Sequence, residues 1–210
     1  MKKLVIGLTG GIGTGKSLAL KEFARRGAST ISLDRIAREV TRKGGAVQRR
    51  IARAFGLRVL GRDGSLDRSR LAELVFARPL LRRRLEGLTH PSILREMCRR
   101  IRRASGPVVV VDVPLLFEGG HESRFDLTLA VTAKPRNQAA RVLARDGLCV
   151  SQARRRMAAQ WPSADKEARA DLVVANDGSR ADFLSRIGQY QKAFALMAAG
   201  RAWGIPHRAY

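Results

Sequence analysis

Residues Gly10-Gly11-Ile12-Gly13-Thr14-Gly15-Lys16-Ser17 match the pattern G-x-x-x-x-G-K-[ST] in full, and nothing else in the chain constrains its fold so tightly. Glycines at these positions let backbone N–H groups turn inward and approach phosphate oxygens with no Cβ in the way. A loop of this kind needs a strand behind it and a helix N-terminus, with its positive dipole end, in front. The chain supplies both. Leu4-Val5-Ile6-Gly7-Leu8 reads as a short buried parallel strand, and Ser17 to Arg26 carries Leu20, Phe23 and Ala24 at helical spacing before Gly27 stops it. The ligand so defined is a nucleoside triphosphate. The backbone of Gly11, Gly13, Thr14 and Gly15 cradles its phosphates, Lys16 places a cation on the β- and γ-phosphates, and the Ser17 hydroxyl ligates Mg²⁺. The pattern leaves the phosphoryl acceptor open.

The alternation of strand and helix continues down the chain. Ala28 to Ile31, Pro107 to Val113, Leu127 to Val131 and Leu172 to Val174 are further short apolar runs, the clearest being Val108-Val109-Val110-Val111. Five such strands separated by helical stretches predict an α/β fold, a three-layer P-loop core with a five-stranded parallel sheet and helices on both faces. From about Arg180 to Arg201, the residues Phe183, Leu184, Ile187, Tyr190, Phe194 and Leu196 suit an amphipathic helix. Two separations exceed a simple crossover. Residues 32–106 form a helical, Arg-rich insert after the second strand, and residues 135–170 form a second insert between the fourth and fifth. A compact core with two helical inserts fits a kinase that closes on its substrates.

Charge narrows the partners without choosing one. The chain carries 41 Lys and Arg against 18 Asp and Glu, a formal net charge of +23, spread along its length and not held in one terminal arm. A field of this sign attracts polyanions, which could be RNA, DNA or a small substrate bearing several phosphates; the plain alternative is an Arg-rich composition on solvated helix faces. Cys98 and Cys149 are too few and too isolated for a disulfide framework or a zinc site. Met1-Lys2-Lys3 resembles the basic end of a signal peptide, but the apolar run behind it breaks into glycines. No window approaches the ~18 apolar residues of a membrane span. These features predict a cytoplasmic chain with reduced thiols.

Several side chains can complete a site around the loop. Asp34 follows the second strand, at the carboxyl edge where open α/β sheets bind ligands. Asp112 ends the valine-rich strand, where a Walker-B-like acid would hold the metal. Either acid could instead cap a turn, but two of them at adjacent strand ends beside a complete loop favour metal and acceptor chemistry. His90-Pro91 lies in the first insert, as a structural or a functional histidine. Pro114-Leu115-Leu116-Phe117 is either plain core or an apolar wall for a ligand beside the phosphates. Arg141, Arg145 and Arg154 recur on or near one helical side, either to stabilise a transferring phosphoryl group or as a solvated basic face. Asn176-Asp177-Gly178 reads first as a turn, with adenine recognition by the Asn176 amide or nearby backbone as its alternative.

Together these stretches resemble the dephospho-CoA kinase family. The resemblance rests on Leu8-Thr9-Gly10 through Ser17, Asp34-Arg35-Ile36-Ala37-Arg38, His90-Pro91, Val113-Pro114-Leu115-Leu116-Phe117-Glu118 and Arg141-Val142-Leu143-Ala144-Arg145-Asp146. It continues through Gln152-Ala153-Arg154, Ala159-Gln160 and Asn176-Asp177-Gly178, in the family's order. The resemblance implies ATP with Mg²⁺, dephospho-CoA as acceptor, and no membrane or specific nucleic acid as partner. It implies a P-loop core at 1–33, 105–138 and 168–210, a helical acceptor domain at 34–104 and a helical lid at 139–167. Asp34 would be the base, or the orienting group, for the ribose 3′-hydroxyl, and would join Ser17 and Asp112 around the metal. Arg141 and Arg145 would act from the lid, and Arg38, His90, Pro114, Leu115 and Leu116 would lie along the substrate cleft. Leu18 would keep a backbone N–H for the α-phosphate.

Three departures accompany it. Ser32-Leu33-Asp34 stands where the family usually reads Asp-Ala-Asp, Leu18 stands where it usually has Thr, and the basic charge is high for an enzyme of coenzyme A. The rivals are another small-molecule or nucleoside-monophosphate kinase on the same core and a basic P-loop NTPase acting on nucleic acid. The chain has no Asn-Lys-x-Asp base-reading motif, and its aromatics, 5% of residues, are sparse for a protein that stacks on bases.

Overall fold

The computed structural model describes residues 3–76, 78–146, 151–152, 157–158 and 160–201. They fold as two compact units, one formed by residues 1–32 and 104–210 and the other by Leu33–Arg103.

The first unit is built on a five-stranded sheet: β1 (Leu4–Thr9), β2 (Ser29–Ser32), β3 (Val108–Asp112), β4 (Leu127–Thr132) and β5 (Leu172–Ala175). The strands stand in the order β2-β3-β1-β4-β5, and every neighbouring pair is parallel. β1 and β3 are buried along their whole length, which explains why both read as unbroken apolar runs with no alternation. Two aspartates, each just ahead of a strand, tie that strand's start to the neighbouring strand. Asp126 accepts the N–H of Val5 at 2.7 Å, and Asp171 accepts both the N–H and the hydroxyl of Thr128 at 2.8 and 2.7 Å.

Helix α1 (Lys16–Arg25) runs from the phosphate loop, starting one residue earlier than its hydrophobic spacing predicts because Gly15 caps it in the left-handed region. Ala19 and Phe23 face the core, where Phe23 stacks on Phe194 with ring centroids 6.0 Å apart. Phe194 belongs to the last helix, Arg180–Arg201, which buries Phe183, Ile187, Phe194 and Ala198 in the same cluster. Ser179 caps that helix, its Oγ accepting the N–H of Asp182 at 3.1 Å. Leu196, placed on the apolar stripe by spacing, is 74% exposed. Helices α6 (Pro135–Asp146) and α7 (Ser163–Arg169) fall in the second predicted insert and belong to the same unit as the sheet.

The second unit comprises α2 (Leu33–Val40), α3 (Ala46–Phe55), α4 (Arg68–Phe76) and α5 (Pro79–Arg103). It has its own core of Val47, Ile51, Phe55, Val59, Leu71 and Val75. Arg100 of α5 is ion-paired with Glu39 of α2 and with Glu96 one turn earlier on its own helix. The last helix, Arg180–Arg201, is α8. No helix among the described residues is long and apolar enough to cross a membrane.

Candidate active site

The phosphate loop crosses the carboxyl edge of the sheet between β1 and α1. Gly13 and Gly15 have φ of +77° and +100°, which side-chain-bearing residues rarely adopt. Space reinforces the need: a Cβ on Gly13 would stand 2.5 Å from the Gln138 carbonyl oxygen, and one on Gly15 would collide with the Asn176 amide. Thr14 is fully buried and turns its hydroxyl onto the Gly11 carbonyl at 2.8 Å, so its side chain shapes the loop from within.

Lys16 is ion-paired with Asp112, the last residue of β3. The strands explain the pairing. Asp112 is in register with Leu8 of β1 on one side and Ser32 of β2 on the other, at the carboxyl end of the central strands. Both side chains are largely buried, 14% exposed for Lys16 and 10% for Asp112, so each charge needs the other. Ser17 is exposed in the first turn of α1, and its hydroxyl has no hydrogen-bond partner among the described residues. The Leu18 N–H donates to the Gly15 carbonyl at 2.9 Å, and the Leu18 side chain packs against the core cluster.

The far side of the loop is held by the turn after β5 and by α6. Asn176 is 5% exposed, and its Nδ2 donates to the Thr14 carbonyl at 2.8 Å. That placement corrects the expectation of adenine recognition by the Asn176 side-chain amide, because its donor is buried beneath the phosphate loop. Arg141 donates from Nη2 to the Asn176 carbonyl at 2.8 Å and from Nη1 to the Gly13 carbonyl at 3.3 Å, bridging turn and loop. Asp177 accepts the Lys134 N–H and the Asn137 side chain at the start of α6; these bonds, with Lys134 and Arg141 nearby, hold its carboxyl below the usual range. The side chain of Arg145, together with Arg154 and Cys149, lies outside the described residues; Cys98 is a free thiol.

After β3 the chain turns through Pro114 and Leu115 into the core. Leu115 is 49% exposed, whereas Leu116 is fully buried beside Gly7, whose missing side chain makes room for it and for Phe125. Leu116 therefore supports the turn from beneath and does not line a cleft, a correction that follows from Gly7 leaving a socket in β1. Glu118 accepts from the Lys166 ammonium at 2.5 Å and from the Trp161 N–H at 3.2 Å, and Gln160 Oε1 accepts the Ile12 N–H at 2.8 Å. A cavity of about 420 Å³ opens at the ends of β4 and β5, lined by Gly11, Thr132, Lys134, Gln138, Gln160 and Trp161 among others.

Asp34 and Arg38 are exposed on α2, and His90 is half-buried on α5, so all three belong to the second unit. That unit holds an apolar cavity of about 190 Å³ lined by Ala37, Thr41, Ile51, Leu66, Arg68 and Thr89 among others. Arg68 donates to the Thr41 hydroxyl at 2.8 Å; partial burial, and then the like charge of Arg38, lower its pKa. Sequence reasoning passed over Arg68, Glu118, Gln160 and Lys166 as functional groups. Glu118 and Gln160 stood in motif stretches with no role attached, and Lys166 in Ser-Ala-Asp-Lys-Glu-Ala-Arg reads as a surface residue.

A parallel sheet of this order, with a complete phosphate loop on its central strand and a lysine paired to the neighbouring strand's terminal acid, defines a P-loop phosphotransferase core. Residues 4–182 match the family model for dephospho-CoA kinase. A dephospho-CoA kinase of Syntrophotalea carbinolica is 43% identical over 180 residues, covering 84% of this chain and 85% of that protein. One from Anaeromyxobacter dehalogenans is 41% identical across 97% of this chain and 96% of its own length. A crystal structure from Thermus thermophilus superposes with a TM-score of 0.84 at 35% identity, covering 92% of this chain and 98% of that one. The chain belongs to the dephospho-CoA kinase family.

Proposed function

We propose that the protein transfers the γ-phosphoryl group of ATP to the ribose 3′-hydroxyl of dephospho-CoA, forming coenzyme A and ADP. The observation that carries this reading is the complete phosphate loop, with Lys16 set against Asp112, in a chain of this family.

The loop residues Gly11, Gly13, Thr14, Gly15, Lys16 and Ser17 supply backbone donors and the α1 dipole to the triphosphate, and Lys16 exchanges its bond to Asp112 for the β- and γ-phosphates. Ser17 and Asp112 offer a hydroxyl and a carboxylate, the hard oxygen donors that Mg²⁺ accepts from proteins in small number. Bound there, Mg²⁺ would neutralise charge on the β- and γ-oxygens; Asp34 is the further candidate ligand. Arg141 holds the loop in shape through Gly13 and Asn176 and adds positive charge on the nucleotide side. Arg145 is assigned the same electrostatic task.

Asp34 takes or orients the proton of the attacking hydroxyl. A phosphoryl transfer with a loose transition state asks more of positioning and charge than of a base, so Asp34 supplies a part of the rate and the loop the larger share. Arg38, together with Arg68, offers guanidinium groups suited to the acceptor's pyrophosphate, and His90, Pro114 and Leu115 are assigned to its organic portion. The test is direct. Purified protein with MgATP and dephospho-CoA, run beside shikimate and nucleoside monophosphates as acceptors, should release ADP and give a product phosphorylated at the 3′ position with dephospho-CoA alone. Turnover confined to another acceptor would overturn the assignment.

A further inference from the structure

Gln160 and Glu118 occupy positions that the phosphate loop, the metal and the acceptor do not account for. Gln160 Oε1 accepts the Ile12 N–H at 2.8 Å, so this side chain is bonded directly to a backbone donor of the phosphate loop. An amide side chain carries two further donors on its nitrogen. Nε2 of Gln160 has no hydrogen-bond partner among the described residues, and Gln160 lines the cavity that reaches Gly11. Loop amides of this kind face the β- and γ-phosphates. With the Ile12 N–H taken up by Gln160 Oε1, the Nε2 donor is the group left at this end of the loop to serve a phosphate oxygen.

Gln160 is also held from behind. The next residue, Trp161, donates its N–H to Glu118 Oε1 at 3.2 Å, and Lys166 donates to the same oxygen at 2.5 Å. The Lys166 side chain is 1% exposed and that of Glu118 is 12% exposed. A charge so buried is costly unless an opposite charge is bonded to it. Glu118 lies in the turn that follows β3, so one carboxylate joins that turn to the stretch bearing Gln160.

We propose that Gln160 is a further catalytic residue that donates from Nε2 to the terminal phosphate of the nucleotide, and that the Glu118–Lys166 pair positions it. The proposal rests on the phosphoryl-transfer reading above, and its test separates the two. Gln160→Glu keeps an oxygen for the Ile12 N–H while removing the donor, so it distinguishes phosphate contact from simple bracing of the loop. Gln160 is only half-buried, which spares the core in this variant.

Binding of ATP and of ADP is measured by calorimetry with Mg²⁺ and no acceptor, and turnover with dephospho-CoA in a separate assay. Losing one charge-stabilising donor costs on the order of 10²-fold in kcat, and this is the fall expected of Gln160→Glu. ATP affinity should fall about tenfold relative to ADP, whose binding lacks the terminal phosphate and should stay within about twofold. Glu118→Gln should move the same quantities in the same direction by less, with KM for dephospho-CoA unchanged, and adding Lys166→Met should cause little further loss. Wild-type kcat and an unchanged ATP-to-ADP affinity ratio in Gln160→Glu would overturn the proposal. If the wild-type protein failed to phosphorylate dephospho-CoA, the functional reading would fall, while the ATP-to-ADP ratio would still decide the role of Gln160.

Discussion

Lys16 of the phosphate loop and Asp112 of β3 are 96 residues apart in the chain and ion-paired at the centre of the sheet. Each is the other's counter-ion where little solvent reaches either side chain. Removing the cation alone leaves a buried carboxylate without a partner, which is costlier than removing both. Lys16→Met should therefore destabilise the fold by about 1–3 kcal/mol, and Lys16→Met with Asp112→Leu by less. Both variants should lose on the order of 10²-fold or more in kcat/KM. Urea denaturation and steady-state kinetics on the single and double variants check this. A folded Lys16→Met enzyme with near-normal turnover would remove the basis of the phosphate-loop assignment.

Asn176 and Gly15 give a second test, because the glycine is required for two separate reasons. Gly15→Ala brings a Cβ onto the Asn176 amide and also forces an alanine to φ of +100°. Asn176→Ala removes the first obstacle and leaves the second. Gly15→Ala should abolish ATP binding, and Asn176→Ala should fail to restore it. Asn176→Ala by itself should cost about 1–3 kcal/mol of stability, since it strands the buried Thr14 carbonyl, and should raise KM for ATP. Restored binding in the double variant would show that crowding, and not backbone conformation, selects the glycine.

Asp34→Asn should lower kcat by about a hundredfold or more while KM for ATP changes little, the range expected when a general base is lost. Ser32 is the informative neighbour. It is in register with Asp112 on the adjacent parallel strand, so the two side chains project from the same face of the sheet. Ser32→Asp would set a second carboxylate beside Asp112, and it should raise activity or reduce the Mg²⁺ concentration required. Kinetics with dephospho-CoA across a Mg²⁺ titration distinguish these outcomes. Retention of most of kcat in Asp34→Asn would place the acceptor chemistry on another residue.

Acid should destabilise the core through Glu22. Its carboxylate accepts from Arg25 at the end of α1 and from Arg26 just after it, and these bonds, Arg25 foremost, lower its pKa to about 2. A carboxyl whose pKa is lowered by folding adds stability above its unfolded value near 4.5 and loses it as pH falls toward 2. Glu96, bonded to Arg99 and Arg100, is lowered to about 2 in the same way. Glu22→Gln should reduce stability at pH 7 and make little difference at pH 2, as followed by denaturant midpoints across pH. An equal loss at both ends would show that the charge contributes nothing.

Most of the elements and the nucleotide loop are local properties of the chain, and the sequence alone determined them. The run Leu4 to Leu8 and the valines of β3 are strands because residues buried on both faces of a parallel sheet are apolar without alternation. The loop pattern names its own chemistry because backbone donors near phosphate require residues without a Cβ. What the sequence could not determine was which distant polar groups pair. Asn176 bonds Thr14 across 162 residues, Gln160 bonds Ile12 across 148, and Glu118 meets Lys166 across 48. Those distances close only because β1 lies between β3 and β4, with β5 beyond, which brings four separate turns to one edge. Lys166 shows the limit most plainly. On a short charged helix it has the local marks of a solvated lysine, and only the tertiary fold, by delivering the Glu118 carboxylate to its ammonium, makes burial of that charge possible.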